Sequence, residues 1–263
     1  MSRQVQPFLY FLLLKSVLIL FACCERENNR DVNWPDYDPS PLQLEIPPGF
    51  PPAIIPADNP LTQKGVNLGR KLYHDKILHI DGLLSCSSCH LQEYGFTTPG
   101  SAILPHINLA WSRNFMWDGK FNMINVNLEY VSLFEVEDFM QTDVSRLIEH
   151  EHYPGLFHEA FGVKEITSRE IAYALAQFMR TQISGSARYD LILAGGIGTP
   201  VFTGQELWGY ELFFTEKGDC FHCHGNKLFT DNKFYNIGLD SLFEGSNKRL
   251  YLTTGNPDRS RKI

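Results

Sequence analysis

Residues 215–231, TEKGDCFHCHGNKLFTD, set two thiols and two imidazoles within the five positions Cys220-Phe221-His222-Cys223-His224. Cysteine and histidine are common ligands of structural zinc, and a tetrahedral site takes four of them. The spacing argues against that use. His222 lies between the cysteines and His224 directly follows the second, which leaves too little backbone to wrap four ligands around one ion. A Cys-x-x-Cys-His run is the attachment signature of c-type haem: both sulfurs become thioethers and the histidine takes an axial place on the iron. His222 is then a spacer. The same arrangement recurs much earlier, as Cys86-Ser87-Ser88-Cys89-His90. Two copies argue for two covalently bound haem c groups, on Cys86 and Cys89 with His90, and on Cys220 and Cys223 with His224. A structural zinc or a redox dithiol is the competing use of these residues.

The other two of the six cysteines, Cys23 and Cys24, close an apolar leader, so the body of the chain has none left for a disulfide framework. Within residues 1–22, Arg3 precedes the run PFLYFLLLKSVLILFA, which is short for a membrane span and interrupted by Lys15. It reads as an export signal. Leu20-Phe21-Ala22-Cys23 resembles the bacterial lipoprotein box, with Phe21 where a small residue is usual, and predicts a lipid anchor on Cys23; simple cleavage and a retained anchor are the alternatives. Each outcome puts the body outside the cytoplasm, in the periplasm or cell envelope.

A formal net charge of −7 and a pI near 5.7 argue against a nucleic-acid partner, because phosphate binding needs a basic face. A small basic redox protein fits that balance. The roughly 240 residues after the leader suffice for one large or two modest domains. Two distant haem motifs favour two.

Residues 25–60 are proline-rich without helical or strand period, and read as a flexible tether over 23–41 followed by an extended arm from Leu42 that lies on the body. From Thr62 the pattern turns helical, with Val66, Leu68, Leu72 and Tyr73 on related faces until Asp81-Gly82. Thr167-Ser168-Arg169-Glu170 and Thr203-Gly204-Gln205-Glu206 fit the capping box. Behind the first, Ile171, Leu175, Phe178, Met179 and Gln182 keep helical spacing; behind the second, Leu207, Tyr210, Glu211 and Phe214 do so. Alternating patterns are almost absent. The expected fold is mostly α: two cytochrome c-like haem domains, 42–130 and 131–263, with long loops.

Segments 59–96 (NPLTQKGVNLGRKLYHDKILHIDGLLSCSSCHLQEYGF), 115–120 (FMWDGK), 166–184, 188–196 and 202–231 together resemble, in this order, bacterial dihaem cytochrome c peroxidases and the related MauG proteins. The likeness runs over roughly residues 42–263. It implies that the haem of Cys86, Cys89 and His90 is the low-potential site where hydrogen peroxide is reduced. The haem of Cys220, Cys223 and His224 corresponds to the high-potential group, which takes electrons from a donor cytochrome c or cupredoxin. Trp117 matches the tryptophan lying between the haems. Glu137 matches the distal catalytic glutamate, and Asn127 falls where many members carry a distal glutamine. The resemblance also covers MauG-like enzymes that oxidise a partner protein; a dihaem electron carrier without peroxidase activity would need no Glu137.

The chain departs from the family in three places. The loop between the first haem motif and Trp117 is short, and the histidine that caps the first haem in resting peroxidases has no clear counterpart. His106 is the only histidine in that loop, and ligation of iron and simple packing both stay open for it. Ser101-Ala102 replaces an Arg-Asn pair that helps hold calcium between domains in relatives, which weakens the case for calcium. Finally, the sequence ends at TTGNPDRSRKI, before the segment that carries the second haem's sixth ligand, a methionine or a tyrosine, so the second domain is expected to be truncated.

Overall fold

The computed structural model describes residues 34–235 apart from 102, 118–120, 122–125, 196–201 and 226. The export leader, Cys23, Ala102 and everything after 235 lie outside the described residues.

Helix α1 (Gln63–His74) starts at Thr62, whose Oγ1 accepts the Gly65 amide at 3.0 Å. Lys71 and His74 occupy its last turn, where the helix dipole favours cations, and Val66, Leu68, Leu72 and Tyr73 are buried. The one-turn α2 (Cys86–Cys89) follows. Helix α3 (Leu128–Phe134) runs directly into a π-helical turn (Glu135–Phe139). Then come α4 (Ser145–Ile148), α5 (Tyr153–Phe161), α6 (Ser168–Arg180), α7 (Arg188–Gly195), α8 (Gly204–Phe213) and α9 (Phe221–His224). Among the described residues there is no strand; bridges pair Pro41 with Thr62 and Leu91 with Thr97. The mostly helical expectation is met.

Helix α6 is the central element. Thr167 and Glu170 form its capping box, and Ile171, Ala174, Leu175, Phe178 and Met179 are buried in the core. It ends at Arg180, so Gln182, expected on the helix, lies beyond it and donates its side-chain amide to Phe178 O at 3.1 Å. Both α1 and α3 pack on α6. The boundary expected at residue 130 falls inside α3, and α1 packs on a helix beyond it. Helical period says which face of each helix is apolar, and leaves open which faces meet.

The α1–α6 contact is closest at Gly69, where a β-carbon would come within 1.9 Å of the Ala174 carbonyl oxygen. Backbone cannot yield as a side-chain tip does. Gly69→Ala should therefore destabilise the fold by about 1–3 kcal/mol through overpacking. A denaturant titration showing unchanged stability would mean that the helices separate at little cost.

Residues 34–41, the described part of the expected tether, lie on α5. Trp34 packs on His158 with ring centres 5.1 Å apart, Pro35 O accepts from His158 Nδ1 at 2.8 Å, and the Asp38 amide donates to Glu159 O at 2.9 Å. Two aromatic anchors, Trp34 and Tyr37, bring this stretch onto α5. The arm beyond it lies on the body as expected: Leu42 N donates to Leu61 O at 2.9 Å, Ile54 N to Ala110 O at 2.8 Å, and Trp111 Nε1 to Pro51 O at 2.7 Å.

A buried polar network locks the arm to the helices. Arg180 makes a forked ion pair with Glu129, its Nη2 lying 2.7 Å from Oε2 and its Nη1 bonding Oε1, while its Nε donates to Ile54 O at 3.2 Å. Asn59 Nδ2 donates to Glu129 Oε1 at 2.7 Å, Gln177 Nε2 to Asn59 Oδ1 at 2.8 Å, and the Thr62 amide to Gln177 Oε1 at 3.0 Å. Arg180 is 3% and Glu129 4% exposed, so the charges must compensate each other. Among the described residues no buried side-chain donor or acceptor lacks a partner.

Helices α7 to α9 form a smaller assembly. Thr203 and Glu206 cap α8 as expected, and Arg188 grips Glu206 at 2.6 and 2.9 Å, which with Thr203 draws that carboxyl down to about 2. Tyr189, Tyr210, Phe213, Phe214 and Phe229 gather beside the second motif, with ring centres 4.7 Å apart for Tyr189–Phe229 and for Tyr210–Phe214. Phe214 stands just past the end of α8, while Leu207 and Trp208 are exposed on it.

Candidate active site

The two Cys-x-x-Cys-His runs fold alike. Each is one helical turn closed by a 3.0 Å bond from the histidine amide to the carbonyl of the first cysteine, His90 to Cys86 and His224 to Cys220. Spacing of three puts both thiols of a pair on one side of the turn. The first turn caps itself: Ser85 and Ser88 form a capping box, and Ser85 Oγ lies 2.9 Å from Ser87 Oγ. All four motif cysteines are free thiols.

Each motif histidine also turns the same ring atom to backbone. His90 Nδ1 lies 2.9 Å from Phe96 O, and His224 Nδ1 lies 2.6 Å from Phe229 O. A carbonyl can only accept, so Nδ1 carries the proton and Nε2 keeps its lone pair. This arrangement orients an imidazole ligand and raises its basicity. Burial pushes the His90 pKa down, which keeps the ring neutral, and pushes the Cys86 thiol up to about 12. A neutral sulfur suits that place better than a zinc-bound thiolate. Among the described residues, neither cysteine pair has a third Cys, His or acidic donor near enough to share an ion. His222 falls instead among exposed Glu216 and Asp219, 3.5 and 3.1 Å away. Free thiol pairs, Nε2 lone pairs and flanking aromatic walls fit covalent haem c at both motifs.

Phe96, whose carbonyl serves His90, has φ +61°, the left-handed region that bulky residues rarely enter. The same carbonyl accepts the His106 amide at 3.2 Å. The His106 ring stacks on the His90 ring, centres 3.5 Å apart and planes inclined by 16°, and its Nδ1 lies 3.1 Å from the Tyr73 hydroxyl. Burial, and secondarily His90, hold the His106 pKa well below the ordinary value. Two imidazoles on opposite faces of one iron would have ring centres about 6 Å apart, since metal–imidazole bonds are about 2 Å long. His106 instead lies flat against the His90 ring. Of its two open roles, this contact favours packing.

Glu137 sits in the π-helical turn, which is closed by a Met140 amide bond to Glu135 O at 2.8 Å. Single π turns concentrate at functional sites. This turn is tied to the chain entering the first motif: Ile80 N donates to Met140 O at 2.9 Å, Thr142 Oγ1 to Leu78 O at 2.7 Å, and Arg146 Nη1 to His79 O at 2.6 Å. Glu135 lies close enough to Cys86 for its charge to help raise that thiol's pKa. Glu137 itself is exposed. Asn127, read as a distal amide, caps α3, with Oδ1 accepting the Tyr130 amide at 3.0 Å.

Trp117 is exposed at the end of a segment that meets the second assembly. The Arg113 amide donates to Asn232 Oδ1 at 3.3 Å, and Asn114 Nδ2 bonds the Asn232 carbonyl, eight residues beyond His224 in the chain. The other side of this segment is held by Trp111 on Pro51.

Residues 63–197 match the family model described as di-haem cytochrome c peroxidase. The chain belongs to the di-haem cytochrome c peroxidase family. The methylamine utilization protein MauG of Methylorubrum extorquens is 35% identical over 202 residues, 70% of this chain and 56% of that protein. The cytochrome-c peroxidase IdrP1 of Denitromonas iodatirespirans is 29% identical over 206 residues, 72% of this chain and 54% of its own. A solved MauG-like protein associated with microbial copper homeostasis superposes with a TM-score of 0.67 at 29% identity, covering 83% of this chain and 72% of that one. The chain spans a little over half the length of these curated relatives. As a di-haem peroxidase family member it has haem c as its implied cofactor, and the matched region holds the first motif but stops short of the second. Among the described residues no helix is long and apolar enough to cross a membrane.

Proposed function

We propose that this chain carries two covalent haem c groups and reduces hydrogen peroxide to water. In this reading electrons come from a small cytochrome c or cupredoxin and pass from the second haem to the first. The observation that carries the reading is the π turn of Glu135–Phe139, strapped to the entry of the first haem motif, since an electron carrier has no use for an acid there. When bound, the first haem supplies an iron with an open coordination position, and the second stores a reducing equivalent. Cys86 and Cys89 hold the first group, Cys220 and Cys223 the second. His90 and His224 offer Nε2 to iron, oriented by Phe96 O and Phe229 O. Glu137 takes a proton from one peroxide oxygen and returns it to the other, so that the leaving oxygen departs as water. Trp117, in the segment tied to Asn232, couples the two haem regions.

Identity to MauG that exceeds identity to IdrP1 favours a second reading, in which the oxidising power is turned on a partner protein. We further propose one haem domain built from residues 34–184 and another starting at 188, a periplasmic location, and a lipid anchor on Cys23. Calcium has no part in the reading.

Protein matured in a host competent for c-type cytochromes should show the mass of two haems and a pyridine haemochrome spectrum of c type. Cys220→Ala should disturb only the second haem. The reduced wild type should reoxidise rapidly on mixing with peroxide. An apoprotein mass would overturn the cofactor assignment. Two haems with no peroxide reaction would leave an electron carrier.

A further inference from the structure

We infer that His106 and Tyr73 are positioning residues for His90: the pair sets the plane of the imidazole that ligates the first haem. The inference rests on the reading of His90 as a haem ligand. The hydrogen bond from His90 Nδ1 to Phe96 O fixes where one ring atom points, and with the Leu104 backbone also bearing on the ring it leaves rocking about that line to be limited by what lies on the ring's face. A flat partner at 3.5 Å and 16° removes that freedom, because turning His90 would drive its edge into the neighbouring face.

The partner is itself held at both ends. Its amide is bonded to Phe96 O, the acceptor that serves His90, so one carbonyl sets the origin of both rings. Its Nδ1 meets the hydroxyl of Tyr73, which is 1% exposed and wedged edge-on against Phe96 and Phe178, with ring centres 6.1 and 5.1 Å away. The chain runs on from His106 to Asn108, whose amide donates to Gln182 O at 2.8 Å and whose Oδ1 accepts the Ser184 amide at 2.9 Å. The left-handed backbone at Phe96 is a local cost tolerated where geometry matters. Among the described residues the second motif shows no such pair: His224 keeps its carbonyl bond, and its ring lies 6.4 Å and 46° from that of Phe213. The structure thus assigns a stiffer ligand to the haem where peroxide is reduced than to the one that relays electrons.

The test uses the holoprotein and reads the first haem by electron paramagnetic resonance and by its midpoint potential. His106→Ala should broaden or split the first-haem signal and shift its midpoint, with both haems present and the number of axial ligands unchanged. Tyr73→Phe, which keeps the packing and removes one hydroxyl, should give a smaller change of the same kind. His106→Phe, which retains a flat ring, should restore a narrow signal. If His106 only fills space, the melting temperature falls while signal and midpoint stay as in the wild type, and the inference is wrong. If His106→Ala converts a six-coordinate first haem to a five-coordinate one, His106 is a ligand and the inference is equally wrong. A wild type without haem on Cys86 and Cys89 overturns the haem reading and this inference with it.

Discussion

Glu137→Gln should slow peroxide-driven reoxidation of the reduced holoprotein by roughly 10²–10⁴-fold, the usual contribution of a positioned general acid–base group. The amide keeps the size of the side chain and its capacity to bond peroxide, and loses the ability to take up a proton. Both haems should remain attached and reducible, so a lowered rate cannot be blamed on lost cofactor. Glu135→Gln is the companion variant. Glu135 lies near Cys86, two residues earlier in the same π turn, and residues two apart in such a turn point in different directions. Stopped-flow traces in which only Glu137→Gln is slow assign the proton to Glu137. Equal rates for the wild type and Glu137→Gln reduce it to an ordinary surface acid, and a slow Glu135→Gln alone moves the role two residues back.

Arg180→Met should lower folding stability by about 3–5 kcal/mol, because Glu129 would be left charged and buried without its partner. The loss reaches beyond one ion pair. Arg180 Nε holds Ile54 O, and Glu129 holds Asn59, so the arm that carries Pro51 and the Trp111 contact would loosen as well. Replacing both charges, Arg180→Met with Glu129→Leu, should recover much of the stability, since an apolar pair of similar bulk needs no compensation. Urea titrations of the three proteins decide it. A double variant no better than the single one would show that the network, and not the stranded carboxylate, carries the cost.

The two predictions draw on different layers of information. Glu137 was reachable from sequence because its spacing from Trp117 follows the resemblance, and chain spacing survives where shape is unknown. Arg180 and Glu129 were not, although both are plainly written in the chain. Their helices put them 51 positions apart, and each alone reads as a charge on an amphipathic face. Nothing local tells a charge that faces water from one that faces its opposite.

What the sequence determined by itself is what is decided within a few residues. The two Cys-x-x-Cys-His turns are legible at Cys86–Cys89–His90 and Cys220–Cys223–His224 because all their residues fall within one helical turn. The starts of α6 and α8 are legible because a capping box closes between a threonine and a glutamate three positions later. Tertiary structure alone decided the rest. It placed α1 on α6 through Gly69 and drew residues 34–41 onto α5. It made a π turn after Phe134, and laid His106 on His90. Each of these depends on which surfaces come to face each other. A glycine shows its purpose only when a backbone lies against it, and a histidine's neighbours appear only when distant loops fold together.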